Sequence, residues 1–253
     1  MNKIAFITGT TSGFGRAIAK IFAGGGFDII ITGRRNEKLR ELSDEIRSEY
    51  NNVRVFPLCF DVRDKKAVDD NVGSLPGDWQ NIDVLVNNAG LALGRDYFDE
   101  ANMEDWETMI DTNIKGVLYV SRAVLPFMKK TGQGHIINIG SVAGKDVYEK
   151  GNVYCTTKHA VDALSRSMRI ELLRHKIKVT AVHPGAAETE FSLVRFKGDE
   201  KSAKAVYEGY KALDAEDIAN LVFYCATLPQ HVCINDVTIT PTAQADAFYF
   251  FKE

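Results

Sequence analysis

The chain has 253 residues, 45% of them hydrophobic and 26% charged, with a formal net charge of −3. That length allows one large α/β domain or two small ones, either with a real core, and the near-balanced charge, with no block of one sign, excludes nothing but gives no footing for nucleic acid or an anionic membrane surface. Cys59, Cys155, Cys225 and Cys233 lack Cys-x-x-Cys spacing, so neither a zinc site nor a disulfide framework is expected. The apolar run Ile4–Ile7 is too short for a signal peptide, and no run approaches the ~20 residues of a membrane span. Reduced cytoplasm is the expected location.

Lys3–Thr8 predicts a buried strand, followed by Thr8-Gly-Thr-Thr-Ser-Gly-Phe-Gly15 and then by Arg16–Ala23 with helical periodicity. Glycines at such a turn let the backbone approach a phosphate, and the helix N-terminus offers free N–H groups and the positive end of its dipole. A strand before and a helix after are the context that a dinucleotide-binding turn requires. Gly9, Thr11, Ser12, Gly13, Phe14 and Gly15 are its candidate cofactor contacts; a tight turn without a ligand is the alternative. Gly24-Gly-Gly26 ends the helix, and Asp28–Thr32 predicts a second strand. An acidic residue that would hold an NAD ribose belongs ~20 residues past the glycine turn. Gly33-Arg34-Arg35 stands there instead, just before a helix from Glu37 to about Tyr50. The helix dipole disfavours cations at that position, and a bound 2′-phosphate would offset this, with arginine as a planar bidentate donor. NADP is therefore expected over NAD, against the alternative of two surface arginines.

Val53–Leu58 predicts a third strand, ending near Asp61-Val62, and a helix follows from about Asp64. Asp83–Asn87 predicts the fourth, running into Asn88-Ala89-Gly90, where small residues would let the backbone lie against a cofactor or form an ordinary polar turn. Met103 to about Lys130 reads as one long amphipathic helix. It holds Asn113 among Ile110, Ile114, Val117 and Leu118, so that asparagine is expected to hydrogen-bond inside the fold, in a structural or a catalytic role. The run Ile136–Ile139 suits a buried parallel strand and ends in Gly140-Ser141. Val153, Ala160, Val161, Leu164 and Met168 mark the next helix, and Tyr154 and Lys158 share one of its faces. A serine leaving the strand and this pair can converge at the strand's carboxyl end, where open α/β sheets bind ligands. Tyr-x-x-x-Lys alone is weak, because chance supplies roughly 0.6 such pairs in a chain of this composition. A second pair, Tyr207 and Lys211, has Val194 where the first has Ser141, and reads as a solvated helix face. Lys178–His183 predicts the sixth strand, broken by Pro184-Gly185. Residues 186–212 read as a loop with one or two short helices, Ala215–Leu228 as a helix, and Asp236–Thr240 as a last strand before the aromatic tail Phe248-Tyr-Phe-Phe251. Strands alternate with helices and no composition break appears. The expected fold is α/β, a single doubly wound Rossmann-type domain over residues 1–253 with a parallel sheet of about seven strands.

The glycine turn, Asn87–Gly90, Asn113, Ser141, Tyr154, Lys158 and Pro184-Gly185 occur together and in this order. In this the chain resembles the short-chain dehydrogenase/reductase family in its compact form, from Lys3 to about Thr242. The resemblance implies that Tyr154 is the acid/base that exchanges a proton with the substrate oxygen, and that Ser141 hydrogen-bonds that oxygen. Lys158 would bind the nicotinamide ribose and favour tyrosinate, a help the chemistry needs because free tyrosine titrates near ~10. Asn113 would anchor a water that relays protons from Lys158. Asp61 would meet the adenine, Val62 would line its pocket, and Asn88, Ala89 and Gly90 would pass the ribose. Pro184, Gly185 and Thr189 would cover the nicotinamide end. Hydride transfer between the substrate carbon and the nicotinamide is cofactor chemistry that the protein orients, and no metal is needed. The family also implies a homotetramer that pairs the helices holding Asn113 and Tyr154.

Several loops, Asn87–Gly94, Thr189–Ser192, Val194–Asp199 and Leu228–Asn235, resemble the NADP-dependent 3-hydroxy acid dehydrogenases. That branch acts on L-serine, L-allo-threonine and related acids of the 3-hydroxypropionate type, and reduces malonic semialdehyde. Loops are where specificity tends to reside. One departure is that Pro184–Phe191 is one residue shorter than in that branch, with Ala186 and Ala187 in place of bulkier or glycine residues. A 3-hydroxy acid needs a cation for its carboxylate, and the candidates are Arg195 and Lys197 in the expected substrate-lid region, about 186–212, and Lys150 before the catalytic helix; solvated loop charges are the bland alternative. Two other functions stay open: a reductase of a different ketone, sugar or acyl carbonyl, and a non-catalytic NADP-binding sensor on the same fold.

Overall fold

The computed structural model describes residues 2–253. In chain order its first half comprises β1 (Ile4–Ile7), α1 (Gly13–Gly24), β2 (Asp28–Gly33), α2 (Asn36–Glu49), β3 (Val55–Cys59), α3 (Lys65–Gly73) and β4 (Ile82–Asn87). The second half comprises α4 (Met103–Ile110), α5 (Gly116–Thr131), β5 (Gly134–Ile139), α6 (Asn152–Leu172), β6 (Ile177–Pro184), α7 (Glu190–Arg195), α8 (Glu200–Ala205), α9 (Ala215–Thr227) and β7 (Asp236–Ile239). The strands form one seven-stranded sheet in the order β3-β2-β1-β4-β5-β6-β7, and every pairing is parallel. This is the expected doubly wound fold.

Because successive strand residues point to opposite faces, the continuous apolar runs feed two cores at once. Ala5 and Ile7 pack with Ile18 and Phe22 of α1, Leu39 and Leu42 of α2 and Ile218 and Val222 of α9. Ile4 and Phe6 face the other way, toward Val68 and Val72 of α3 and Val120, Val124 and Met128 of α5. Phe22, Phe27 and Phe223 join α1 to α9 edge-on, with centroids 5.0 Å and 5.3 Å from Phe22. Phe22 is fully buried, so Phe22→Ala would cost about 3–5 kcal/mol. Helix starts follow local chemistry: Asp64 caps α3 by accepting from the Ala67 N–H, and Asp214 and Asp217 close a capping box on α9, worth about 1 kcal/mol per cap.

Two features position the site. The strand order reverses between β1 and β4, which opens a crevice at their carboxyl ends. The helical stretch around Asn113 runs from α4 into α5 as expected, but passes through a π-helical turn at Asp111–Lys115. Such a bulge turns side chains that a regular helix would keep in line, and it aims Asn113 inward, where it is buried. The third strand starts two residues later than its apolar run, and the loop after β6 holds the two short helices α7 and α8. Among the described residues, no helix is long and apolar enough to cross a membrane.

Candidate active site

A cavity of about 990 Å³ lies over the carboxyl ends of the strands. It is lined at one end by the turn after β1 and at the other by Ser141, Tyr154 and the α7 region.

The first end is built from backbone. Gly9 and Gly13 have φ of +70° and +50°, a conformation that costs glycine nothing. A Cβ on Gly15 would lie 2.2 Å from the Gly9 carbonyl oxygen and 2.5 Å from Asn88 Nδ2, and one on Gly9 would lie 3.0 Å from Ala89 Cα. The turns after β1 and β4 therefore touch. Thr8 Oγ1 stitches them by accepting from the Asn88 and Ala89 N–H groups, both at 2.9 Å. Asn88 Nδ2 donates back to the Thr8 carbonyl at 2.8 Å. Ser12 begins α1 without a side-chain cap, and no acidic residue occupies the first turn, which leaves N–H groups to face an anion. Thr189 lies across the turn, 3.5 Å from an ideal Cβ on Gly13.

At the edge of this end stand Arg34 and Arg35. Arg35 Nη2 donates to Thr11 Oγ1 and Ser12 Oγ, both at 2.9 Å, while its Nη1 reaches Glu190 Oε2 at 3.2 Å. The guanidinium is thus already oriented over the hydroxyls of the glycine turn. Arg34 pairs with Asp61 at 3.6 Å, and Asp61 is held mainly by Arg63 at 2.7 Å. Val62, Asn88, Ala89, Gly90, Pro184 and Gly185 line the same cavity.

At the other end Ser141, Tyr154 and Lys158 are all buried. Ser141 leaves β5 and accepts the Ala143 N–H at 3.1 Å. Lys158 Nζ donates to the Ile139 carbonyl at 3.0 Å and lies 6.0 Å from the centre of the Tyr154 ring. Burial pushes the Tyr154 phenol well above its ordinary value, then Tyr148 adds to this, and the Ser141 hydroxyl offsets part of it. Burial pushes Lys158 down to about 8. Asn113 is not in that group directly. Its Oδ1 accepts from the Leu91 N–H at 2.9 Å, and its Nδ2 donates to the Leu91 carbonyl at 2.8 Å and to Thr157 Oγ1 at 3.0 Å. It closes the loop after β4 onto α6, and a Cβ on Gly90 would sit between Asn113 Oδ1 and Lys158 Nζ, at 3.2 Å and 3.6 Å.

The three cation candidates separate. Lys197 is tied to Asp105 at 2.7 Å and is 56% exposed. Lys150 lies 4.1 Å over the Tyr97 ring. Arg195, at the end of α7, sits 5.6 Å over the Tyr154 ring and 5.7 Å over the Tyr148 ring, and donates to the Tyr148 hydroxyl at 3.2 Å and the Gly94 carbonyl at 3.4 Å. Tyr148 and Phe191, whose ring is 5.8 Å from that of Tyr154, were not picked out from the sequence. No motif or periodicity marks Tyr148, and Phe191 falls in the Thr189–Ser192 loop without a role of its own. The expected solvated helix face at Tyr207 and Lys211 is corrected: Tyr207 lies in the turn after α8, half-buried, where it donates to the Ala187 carbonyl at 2.8 Å and bonds Ser192 Oγ at 2.6 Å. Its hydroxyl ties this turn back to Ala187 and Ser192, contacts between separated positions that spacing does not reveal.

A family described as short chain dehydrogenase matches residues 3–199. The NADP-dependent 3-hydroxy acid dehydrogenase of Salmonella typhi is 49% identical over 245 residues, covering 96% of this chain and 97% of that protein. Sulfoacetaldehyde reductase 2 of Chromohalobacter salexigens is 47% identical over 246 residues, with 97% and 96% covered. Among solved structures, the closed form of a serine dehydrogenase complexed with NADP+ superposes with a TM-score of 0.91 at 46% identity, covering 99% of each chain. Serine dehydrogenase from Escherichia coli gives 0.82 at 42% identity, with 96% and 99% covered.

Proposed function

The chain belongs to the short-chain dehydrogenase family, and we propose that it is an NADP-dependent oxidoreductase that interconverts 3-hydroxy acids of the L-serine, L-allo-threonine and 3-hydroxypropionate type with their 3-oxo acids. The observation that carries the substrate class is Arg195, a guanidinium within 5.6 Å of the Tyr154 ring centre. It can hold a carboxylate while the hydroxyl two carbons away reaches the phenol. Arginine suits this task because its planar fork matches a carboxylate.

The residues of the first end fit a dinucleotide phosphate: side chains at Gly9 and Gly15 would fill the cradle, and Arg35 points its donors at the hydroxyls of Thr11 and Ser12. Gly9, Thr11, Ser12, Gly13, Phe14 and Gly15 would hold the pyrophosphate, and Arg34 and Arg35 the 2′-phosphate. Asp61 and Val62 would flank the adenine, Asn88 to Gly90 the ribose, and Pro184, Gly185 and Thr189 the nicotinamide end. When bound, NADP+ supplies the hydride acceptor. Tyr154 takes the hydroxyl proton as the alcohol becomes a carbonyl, and Ser141 donates to the same oxygen. The burial that raises the phenol must be overcome for it to act as a base, and a charged Lys158 beside it does this. Asn113, held in the π turn before α5 by Leu91 and by Thr157 of α6, would order a water next to Lys158.

A sulfonate in place of the carboxylate is the second reading, favoured by the likeness to a sulfoacetaldehyde reductase, because Arg195 with the Tyr148 hydroxyl offers donors to either anion. Ile110, Leu118, Ile170 and Leu173 are exposed apolar side chains on α4, α5, α6 and the turn after it, which supports a homotetramer paired through these helices. The four free thiols suit a reducing compartment, which supports a cytoplasmic location. The direct test is reduction of NADP by each hydroxy acid and by 2-hydroxyethanesulfonate. Activity on the acids that falls by about 10²–10⁴ in Tyr154→Phe, with NADP binding intact, is the expected result. No activity on any of them would overturn the substrate class.

A further inference from the structure

Next to Ser141 lies a charged cluster for which the reading above has no role. The His183 ring is fully buried, with Nδ1 3.2 Å from the Ser141 carbonyl oxygen. Its Nε2 lies 3.1 Å from Asp236 Oδ2 and 3.6 Å from Asp162 Oδ1. Lys145, four residues after Ser141, reaches the same two carboxylate oxygens, at 2.9 Å on Asp162 and 2.8 Å on Asp236. Arg166 takes the other oxygen of Asp162 at 2.8 Å. Asp162 is one turn beyond Lys158, so Tyr154, Lys158 and Asp162 share a face of α6.

The turn from Ser141 to Lys145 is clamped from two sides. A Cβ on Gly140 would meet His183 Nδ1 at 2.6 Å, and one on Gly144 would meet the Lys158 carbonyl oxygen at 2.6 Å. Glycine at both positions lets the turn lie directly on the imidazole and on the backbone of the catalytic helix. Asp162, His183 and Asp236 are also close enough together to hold a metal ion. The Lys145 ammonium already lies on two of their oxygens, so the cluster has its cation. Asp236 and Arg166 are exposed, and ion pairs open to solvent add little stability by themselves.

Its use follows from counting protons. The ring nitrogens face a carbonyl on one side and carboxylates on the other, so every neighbour named here is an acceptor. Burial, and then the charge of Lys145, push the imidazole below its ordinary value. Near neutral pH it therefore has one proton for two sides. By offsetting the charge of both carboxylates, Lys145 weakens their competition with the Ser141 carbonyl for that proton. We infer that Lys145 is a positioning residue: by satisfying Asp162 and Asp236 it selects the His183 tautomer that holds the Ser141 turn at its working distance from Tyr154. This rests on the reading of Ser141 and Tyr154 as the pair that handles the substrate oxygen.

The test compares Lys145→Met and Lys145→Arg with the unaltered enzyme, in turnover and in ¹⁵N spectra of histidine-labelled protein, with Tyr154→Phe alongside. Lys145→Met should lower kcat about tenfold, as expected for a small misplacement, while KM and the NADP Kd stay within about twofold, the signature of a loss confined to the transition state. In the same variant the His183 proton should move from Nδ1 to Nε2, and Lys145→Arg should restore both kcat and tautomer. Full kcat in Lys145→Met, an unmoved tautomer, or a fall in kcat, substrate affinity and NADP affinity together would each overturn the inference. An inactive Tyr154→Phe beside a fully active Lys145→Met would sink this inference alone; an active Tyr154→Phe would sink the catalytic reading beneath it.

Discussion

The end of the cleft proposed to hold the nucleotide and the end proposed to hold the substrate are built by different means. At the nucleotide end the work is done by backbone: turns after β1 and β4 that touch because Gly9 and Gly15 carry no side chain, and a helix N-terminus without a side-chain cap. At the substrate end it is done by side chains from remote loops. Arg195 reaches Gly94, 101 positions away, and Tyr148, 47 positions away. Backbone cradles are written in a few consecutive residues, so they tolerate little change and bind one kind of ligand. Side-chain clusters assembled over long separations can be retuned one residue at a time, which suits the end that chooses a substrate.

The comparison can be broken at either end. The largest effect is expected from Gly15→Val, where overpacking against the Gly9 carbonyl should cost about 3 kcal/mol, or roughly 10²-fold in the NADP Kd; titration of nucleotide fluorescence measures it. Arg195→Ala should lower kcat/KM for L-serine by roughly 30-fold, the worth of a hydrogen bond to a charged group, with the NADP Kd unchanged. Lys197→Ala, whose amine is occupied by Asp105, should leave both values within about twofold. If Lys197→Ala proved as damaging as Arg195→Ala, the lid would hold the substrate differently. Arg35→Ala should cost about tenfold in NADP binding and nothing in NAD binding, as read from the ratio of the two dissociation constants.

A separate expected effect concerns stability and pH. Burial holds Lys158 at about 8 against an ordinary 10.5. Between those values the unfolded chain binds more protons than the folded one, so stability of the nucleotide-free protein should rise with pH in that window, by up to about 1.4 kcal/mol per unit. Below pH 8 the cost of burying the charge is fully present. Thermal melts from pH 7.5 to 9.5 should therefore show a rise of a few degrees relative to Lys158→Met, which carries no proton to lose.

The same division explains what could be read from the chain. Apolar runs and glycine punctuation specify strands, helices and the dinucleotide turn through local rules, so the sheet and that turn are legible, whereas the contact of Gly9 with Asn88 and Ala89 is not. Arg34 and Arg35 are legible as cations at a helix start, where they need an anion. Tyr148 and Phe191 are not, because nothing in their neighbours records that α7 folds back over Tyr154. Asn113 was visible as a polar residue on an apolar face, but the π turn that aims it and its partners Leu91 and Thr157 was not. Tyr207 misleads because its spacing to Lys211 fits a helix face, whereas α8 ends at Ala205.

The most direct measurement is a comparison of 3-hydroxypropionate with its methyl ester, for the unaltered enzyme and for Arg195→Ala. The ester keeps the reacting alcohol and removes the anion. The unaltered enzyme should favour the acid by roughly 30-fold in kcat/KM, and Arg195→Ala should lose that preference by losing the acid rather than gaining the ester. Equal use of acid and ester by the unaltered enzyme, or a preference that survives Arg195→Ala, would contradict the assignment of this site to a 3-hydroxy acid held by Arg195.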